Sequence, residues 1–429
     1  MRVLVLGGAG DVGRVASRVL AADPAVTELV VADLDGGRAE SLARGLGPTA
    51  SGRSVDVTDR PALDALLRAC DIVVNTVGPF FRFGVPILSA AIDAGRDYID
   101  VCDDWEPTLE MLALDERART AGVTALIGMG ASPGVANLLA VAAGRELDTV
   151  DAVVTGWNVG GSVQADSRHT GRPSAAIVHG VRQISGTILL TRGGRFVTRP
   201  ALEKIDLDYP GIGPIRGRSF GHPEAVTLHR AFPGLRDNTN IAVGDRVTLA
   251  ALAALRFGVD RRILSPRRAA AVAAFAERLL PAKPADIIEP AGPPPLFALV
   301  RGTHDGRPAT VATALAQIPG LSMGENTGVP VAVAAALLPT IRRPGVHPPE
   351  TLIEPAEFFA AFAPHCIGNP PAAAMTVTTR SWATPQANAD NLSAALLTAF
   401  LAPQPTRDGH EIDSVVTSSV ECGSDHRIR

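Results

Sequence analysis

Val3-Leu4-Val5-Leu6-Gly7-Gly8-Ala9-Gly10-Asp11-Val12-Gly13 decides the fold. A short apolar run ends in a glycine turn, and a helical repeat follows with Val12, Val15, Ala16, Val19 and Leu20 on one face. Gly8, Gly10 and Gly13 satisfy G-x-G-x-x-G in the strand–turn–helix context that a dinucleotide site requires. The first glycine permits the tight turn, the second lets the backbone approach a pyrophosphate, and the third lets helix pack on strand. The helix N-terminus then faces the phosphates. Gly8, Gly10, Asp11, Val12 and Gly13 are therefore expected to contact the cofactor.

The next stretches extend this reading. Glu28–Asp33 reads as a second strand ending in an acid 20 residues after Gly13, where a carboxylate takes the adenosine ribose hydroxyls. A third strand around Ser54–Val57 brings Asp56 toward the adenine edge. Strand Asp71–Val74 ends in Asn75-Thr76-Val77-Gly78-Pro79, so Thr76, Gly78 and Pro79 join the cofactor contacts. A helix at Pro86–Ala94, a strand at Asp97–Val101 and another at Val123–Ile127 continue the βα alternation of a doubly wound parallel sheet. Asp33 repels a 2′-phosphate, Leu34 adds no charge and Arg38 lies one helical turn on, so of NAD and NADP the sequence favours NAD.

Composition excludes several classes. The 429 residues carry a net charge of −4, which gives no footprint for nucleic acid or an anionic membrane. Aromatics are only 4%, so Ala, Val, Leu and Ile must build the core. Cys70, Cys102, Cys366 and Cys422 show no CxxC spacing, so neither a metal site nor a disulfide framework is indicated and a reduced cytoplasmic setting is expected. The start does not read as a signal peptide, and no membrane span is expected because no apolar run nears 18 residues. Lys204 and Lys283 are the only lysines and sit in a polar and a proline-flanked setting, which argues against Schiff-base chemistry. No Tyr-x-x-x-Lys pair exists, since Cys102 and Gly213 follow Tyr98 and Tyr209 at that spacing.

From the glycine turn, Asn75–Pro79, Asp97-Tyr98-Ile99-Asp100, Ala121–Thr124 and above all Gly130-Ala131-Ser132-Pro133-Gly134-Val135-Ala136-Asn137, the chain resembles the saccharopine dehydrogenase-like family. That family includes saccharopine reductase, carboxynorspermidine dehydrogenase and lysine 6-dehydrogenase. Gly221–Leu228, Thr327–Pro330 and Gly345–Glu350 carry the likeness to about residue 362. The resemblance implies an α/β fold: an N-terminal Rossmann doubly wound parallel sheet plus an α+β substrate domain. The expected organisation is a dinucleotide-binding domain over 1–125, a substrate and dimerisation domain over 126–325, helices returning to the Rossmann domain over 326–362, and a poorly ordered or loosely docked tail over 363–429. The implied activity is NAD(P)-dependent hydride transfer at a C–N bond of an amino acid or polyamine, by a homodimer. Ser132 departs from the family, where Asp often precedes this Pro-Gly, which weakens saccharopine itself as substrate. Gly78-Pro79-Phe80 also resembles an enoyl-reductase-like branch acting on a lipid or polyketide C=C bond. A non-catalytic NAD(P)-binding protein is a third reading.

Hydride transfer at C–N needs a titratable group at the cleft outside the strand C-termini. Asp103, from the acidic run Asp100–Asp104, is one, although Asp103 or Asp104 also suits a helix N-cap. Cys102 reads as a packing residue. His179 and His222 are the acid/base candidates from the second domain. Ser132, Asn137, Gln183, Glu224 and Arg230 are the expected substrate contacts, with Asn137 one turn into a helix begun by Pro133, and Arg182 a further possible carboxylate ligand. Strands are expected at Val150–Trp157, Ile188–Leu190, Phe196–Thr198 and Val226–His229, helices at Pro173–Ser185, Ser265–Pro281 and Asn326–Leu338, and a linker at Pro281–Pro295.

Overall fold

A computed structural model describes residues 1–159, 180–181, 183–266, 268–272 and 293–401. His179, Arg182, most of the expected helices at 173–185 and 265–281, most of the 281–295 linker and the chain beyond 401 lie outside the described residues.

Strand β1 (Arg2–Leu6) is central because Val3–Leu6 are apolar on both faces, as an interior parallel strand requires. Around it lie α1 (Asp11–Ala22), β2 (Glu28–Asp33), α2 (Gly36–Leu46), β3 (Ala50–Ser54), α3 (Arg60–Ala69), β4 (Ile72–Asn75), α4 (Phe80–Asp93), β5 (Asp97–Asp100), α5 (Trp105–Leu112), α6 (Asp115–Thr120) and β6 (Thr124–Leu126). Leu6 pairs in parallel with Ala32 on one side and Asn75 on the other, so the strand order reverses at β1/β4. The full order is β15-β6-β5-β4-β1-β2-β3, where β15 (Gly345–His347) joins from far downstream, parallel to β6. This is the doubly wound sheet expected from the sequence.

Three local expectations are corrected. The third strand stops at Ser54, because Asp56 closes a turn on Thr58: its Oδ1 accepts from the Thr58 N–H at 2.9 Å and hydroxyl at 2.7 Å. Helix α4 begins at Phe80, with Pro86 inside it, since Phe80, Gly84 and Ile87 already face the core. Pro133 does not open a helix: α7 (Val135–Gly144) starts after Gly134, whose φ of +117° no ordinary side chain favours.

The second layer is a mixed sheet with the path β10-β11-β12-β7-β13-β14-β16, with β8 beside β12 and β9 beside β8. Its strands are β7 (Thr149–Asn158), β8 (Thr187–Arg192), β9 (Arg195–Pro200), β10 (Lys204–Tyr209), β11 (Gly213–Phe220), β12 (Asp237–Val243), β13 (Leu296–His304), β14 (Arg307–Leu315) and β16 (Thr376–Arg380). Val226–His229, expected as a strand, is instead the helix Glu224–Thr227 running into a 3-10 turn, Leu228–Arg230. Pro223 precedes that helix, and Val226 and Leu228 are buried from it rather than from a sheet.

Two helices fuse the layers. Helix α7 is apolar all round and shares one core with Val3 and Val5 of the first sheet and Val153, Leu296 and Val311 of the second. The helix Met323–Leu337 returns to the nucleotide half and packs on α1: a Cβ at Gly324 would lie 2.8 Å from the Asp11 carbonyl, and one at Gly328 2.7 Å from that of Val12. It begins with a capping box in which Ser322 and Glu325 satisfy each other's backbone N–H groups.

The expected loose tail is not loose over 363–401. β16 pairs antiparallel with β14, and the helix Pro385–Leu401 lays Leu392 and Leu396 against Tyr209, Ile241, Phe297 and Val377 on the outer face of the second sheet. Burial of that apolar face, not the Pro/Ala/Thr composition, decides the outcome. Replacing Leu392 and Leu396 together by Ala is expected to lower stability by about 4–8 kcal/mol in urea unfolding, at 2–4 per buried leucine. A loss under about 1 kcal/mol would mean the helix is only loosely held.

Candidate functional site

The glycine turn carries its reasons in its contacts. Gly7 has φ +70°. A Cβ at Gly8 would lie 2.8 Å from Val31 Cγ1, and one at Gly13 2.2 Å from the Gly7 carbonyl. Gly10 caps α1 without a side chain, so the first-turn N–H groups are left for an anion. Asp11 bridges to Arg14 at 3.2 Å, and Val12 lies under the returning helix. Thr76 donates to the carbonyls of Leu6 (2.8 Å) and Gly7 (3.1 Å), so its hydroxyl braces the turn. Asp33 points back at the turn: Oδ2 accepts from Ala9 N–H at 3.1 Å and Oδ1 from Asp35 N–H at 3.1 Å. Arg38 donates to the Ala9 carbonyl at 3.0 Å, so one cation and one carboxylate meet at Ala9. Gly78 is exposed, and Pro79 caps α4. Asp56 sits in its own turn beyond β3. The cradle fits a nicotinamide dinucleotide.

Beside it, the ends of β4, β5 and β6 are tied by a buried network. Asn75 donates to the Tyr98 hydroxyl, which donates to Asp100 Oδ2, both at 2.9 Å. Asp100 Oδ1 accepts from Gly128 N–H at 2.7 Å and Cys102 N–H at 3.0 Å. Burial pushes this carboxyl up to about 6. It thereby fixes the loop that carries Ser132. Burial also holds the Cys102 thiol well above its ordinary value, so it is no thiolate nucleophile. Asp104 stands at the N-cap position of α5 without a side-chain cap bond, and Asp103 beside it is half-buried. Gln183 donates from the second domain to the Asp103 carbonyl at 2.8 Å, closing one wall.

Ser132, His222 and Glu224 meet where the two layers join. The Ser132 hydroxyl donates to Glu224 Oε1 and lies 3.2 Å from His222 Nδ1. Asn240 Nδ2 reaches Ser132 Oγ (3.3 Å), Glu224 Oε1 (3.3 Å) and Thr155 Oγ1 (3.0 Å). Glu224 is fully buried, its Oε2 has no hydrogen-bond partner and lies 3.8 Å from His222 Nδ1. Burial first, opposed by the Ser132 bond, and then the fields of Glu350 and Asp103 raise its carboxyl from 4.5 to about 7. The His222 ring lies nearly parallel to Trp157 (centroids 6.3 Å, 13°) and edge-on to Phe220 (5.0 Å).

Two expected substrate contacts are placed differently. Asn137 Oδ1 caps its own helix by accepting from Gly134 N–H at 2.8 Å, and its Nδ2 donates to buried Glu350 at 2.8 Å. It supports the site rather than facing it. Arg230 is exposed on the 3-10 turn, where its charge acts on Glu350. Asn240, Thr155 and Glu350 were not expected. Asp237-Asn238-Thr239-Asn240 is a polar run that β12 carries between β7 and β11. Among the described residues, no group of three His, Cys, Asp or Glu side chains is placed to hold a metal, and no helix is long and apolar enough to cross a membrane.

A glycine-turn parallel sheet joined to a mixed sheet, with Ser132, His222 and Glu224 meeting where they join, is the architecture of a dinucleotide-binding protein. Residues 3–126 match the saccharopine dehydrogenase NADP binding domain. The carboxyaminopropylagmatine dehydrogenase of Synechocystis sp. is 23% identical over 368 residues, 79% of this chain and 89% of that one. The trans-acting enoyl reductase of Mycobacterium tuberculosis is 28% identical over 102 residues, 23% of this chain and only 24% of its own length. The structure of saccharopine dehydrogenase (L-Glu forming) from Saccharomyces cerevisiae shares the fold, with a TM-score of 0.51, 18% identity, and coverage of 81% of this chain and 94% of that one. The nucleotide half is thus similar to the saccharopine dehydrogenase NADP binding domain, and the chain as a whole shares its fold with a saccharopine dehydrogenase.

Proposed function

We propose that this protein is an NAD(P)-dependent oxidoreductase that transfers hydride at a C–N bond, by imine reduction or amine oxidation, of an amino acid or polyamine. The observation that carries this reading is the Ser132–His222–Glu224 cluster beside the ends of β5 and β6. There a proton can be exchanged with a substrate nitrogen, with Trp157 lying parallel to the His222 ring. Gly8, Gly10, Gly13 and the first turn of α1 would hold the cofactor pyrophosphate, and Asp33 the ribose. The bound nicotinamide supplies the hydride acceptor or donor. The residues around it orient the substrate, and His222 with Glu224 handles the proton. The likeness to a carboxyaminopropylagmatine dehydrogenase over most of the chain supports this substrate class, and the proposed operation is cytoplasmic and homodimeric.

Within this reading NAD is the favoured cofactor, because Asp33 is aimed at the ribose end by its bond to Ala9. Thermal-shift titration is expected to show stabilisation by NADH, about 2.7 kcal/mol at a hundredfold excess over Kd. NADPH should do less, and Asp33→Ser should narrow the gap. Stabilisation by NADPH alone, lost in Arg38→Ala, would reverse the assignment. No shift with either would overturn the oxidoreductase reading. Turnover of an acyl substrate with none of an imine would favour the enoyl-reductase reading.

A further inference from the structure

We propose that the Ser132 hydroxyl is a proton relay joining His222 to Glu224. This rests on the cleft being the place of proton exchange, and deepens it by assigning where the proton goes. Hydrogen-bond accounting carries the argument. A serine hydroxyl has one proton and two lone pairs. Ser132 has three partners: Glu224 Oε1, His222 Nδ1 and the Asn240 amide N–H. Asn240 Nδ2 can only donate, so its contact occupies a lone pair of Ser132.

Two complete arrangements remain. In the first, Glu224 is ionised, Ser132 donates to it, and His222 donates Nδ1–H to Ser132. In the second, Glu224 is protonated and donates to Ser132, Ser132 donates to a bare His222 Nδ1, and the imidazole proton is on Nε2. Both satisfy Ser132 Oγ, His222 Nδ1 and Glu224 Oε1, and they differ by one proton. When His222 takes a proton from substrate nitrogen at Nε2, a new Nε2–H bond forms and the substrate N–H bond breaks. The Nδ1 proton then passes to Ser132 Oγ as the original hydroxyl proton passes to Glu224 Oε1. The imidazole ends neutral, the carboxylate ends neutral, and no electrons change hands. The reverse sequence delivers a proton to nitrogen.

Two further observations fit. Burial raises the Glu224 carboxyl well above the ordinary carboxylate range, so it is able to hold the relayed proton. The acidic groups facing Glu224 are Glu350 and Asp103, which favour its holding the proton, and His222 Nδ1 faces it at 3.8 Å. His222 is flanked by the apolar rings of Trp157 and Phe220. Asn240, fixed to Thr155 at 3.0 Å, is the positioning residue that keeps Ser132 Oγ between the two ends.

The test is 15N NMR of histidine-labelled full-length protein without substrate or cofactor, with His222 assigned from His222→Gln. The neutral His222 tautomer is expected to change from Nε2–H to Nδ1–H as pH rises through the Glu224 titration. Ser132→Thr should keep that change, whereas Ser132→Ala and Glu224→Gln should each abolish it. A wild-type ring that holds one tautomer throughout, or a Ser132→Ala ring that switches as wild type does, would overturn the relay. Should Ser132→Ala fail to fold, Glu224→Gln against Ser132→Thr carries the same contrast. Nucleotide stabilisation is read separately, so failure of the relay and failure of the oxidoreductase reading are distinct results.

Discussion

Gly13→Ala is expected to lose nucleotide-dependent thermal stabilisation and about 1–3 kcal/mol of stability, or more. The added Cβ would sit 2.2 Å from the Gly7 carbonyl, 2.8 Å from Gly8 Cα and 2.8 Å from Thr76 Oγ1. Two of those atoms are backbone of the turn itself, so relief requires α1 to lift away, and lifting it moves the first-turn N–H groups off the pyrophosphate position. Gly45→Ala in α2 is the control, since a Cβ there meets nothing within 4 Å. It should be neutral or stabilising by up to about 1 kcal/mol. Urea unfolding and thermal shift on both variants decide the matter. A Gly13→Ala protein that binds nucleotide like wild type would remove the turn from the cofactor site.

The second large effect is a gain. Glu224 is raised from 4.5 to about 7 by burial, so between those values the folded protein holds a proton that the unfolded chain has lost. Stability therefore falls as pH rises from about 4.5 to 7, and above 7 the ionised carboxylate costs up to about 3 kcal/mol. Glu224→Gln replaces it with a neutral group of the same shape. The variant should match wild type near pH 4 and exceed it at pH 8, raising the thermal midpoint by a few degrees there, while losing catalysis. A variant less stable than wild type at pH 8 would show that the Ser132 and Asn240 bonds to the carboxylate outweigh the burial. The site residue would then be one the fold needs rather than one it tolerates.

The nucleotide half was legible because its signals are local. A glycine turn of fixed spacing, strands apolar on both faces and an acid at the end of β2 each follow from a few neighbouring residues. The second half was harder, because its signals are non-local. Val226-Thr227-Leu228-His229 has strand-like composition, yet Pro223 and burial against β8 and β12 make it helical. Asn238 and Asn240 belong to a polar run that β12 carries between β7 and β11. Ser132 and Glu224 were named as site residues, but their meeting depends on a bond spanning 92 positions that no window of sequence contains. Asn137 shows the converse. Its place one turn into a helix suggested a ligand contact, and the Gly134 cap that uses its oxygen appears only once the φ of that glycine is known.

Strand β15 has a consequence in time. It pairs with β6, yet His347 leaves the ribosome about 220 residues after Leu126. At 5–20 residues per second, that is an interval of roughly ten to forty seconds. Throughout it, the nascent nucleotide sheet carries an unpaired row of N–H and C=O groups along β6, a template for wrong pairing. The helix that covers α1 has also not been completed until Leu337 emerges. Chaperone demand during synthesis should thus be set by the arrival of residues 323–347, and a stalled chain of 130–320 residues should be the species that aggregates.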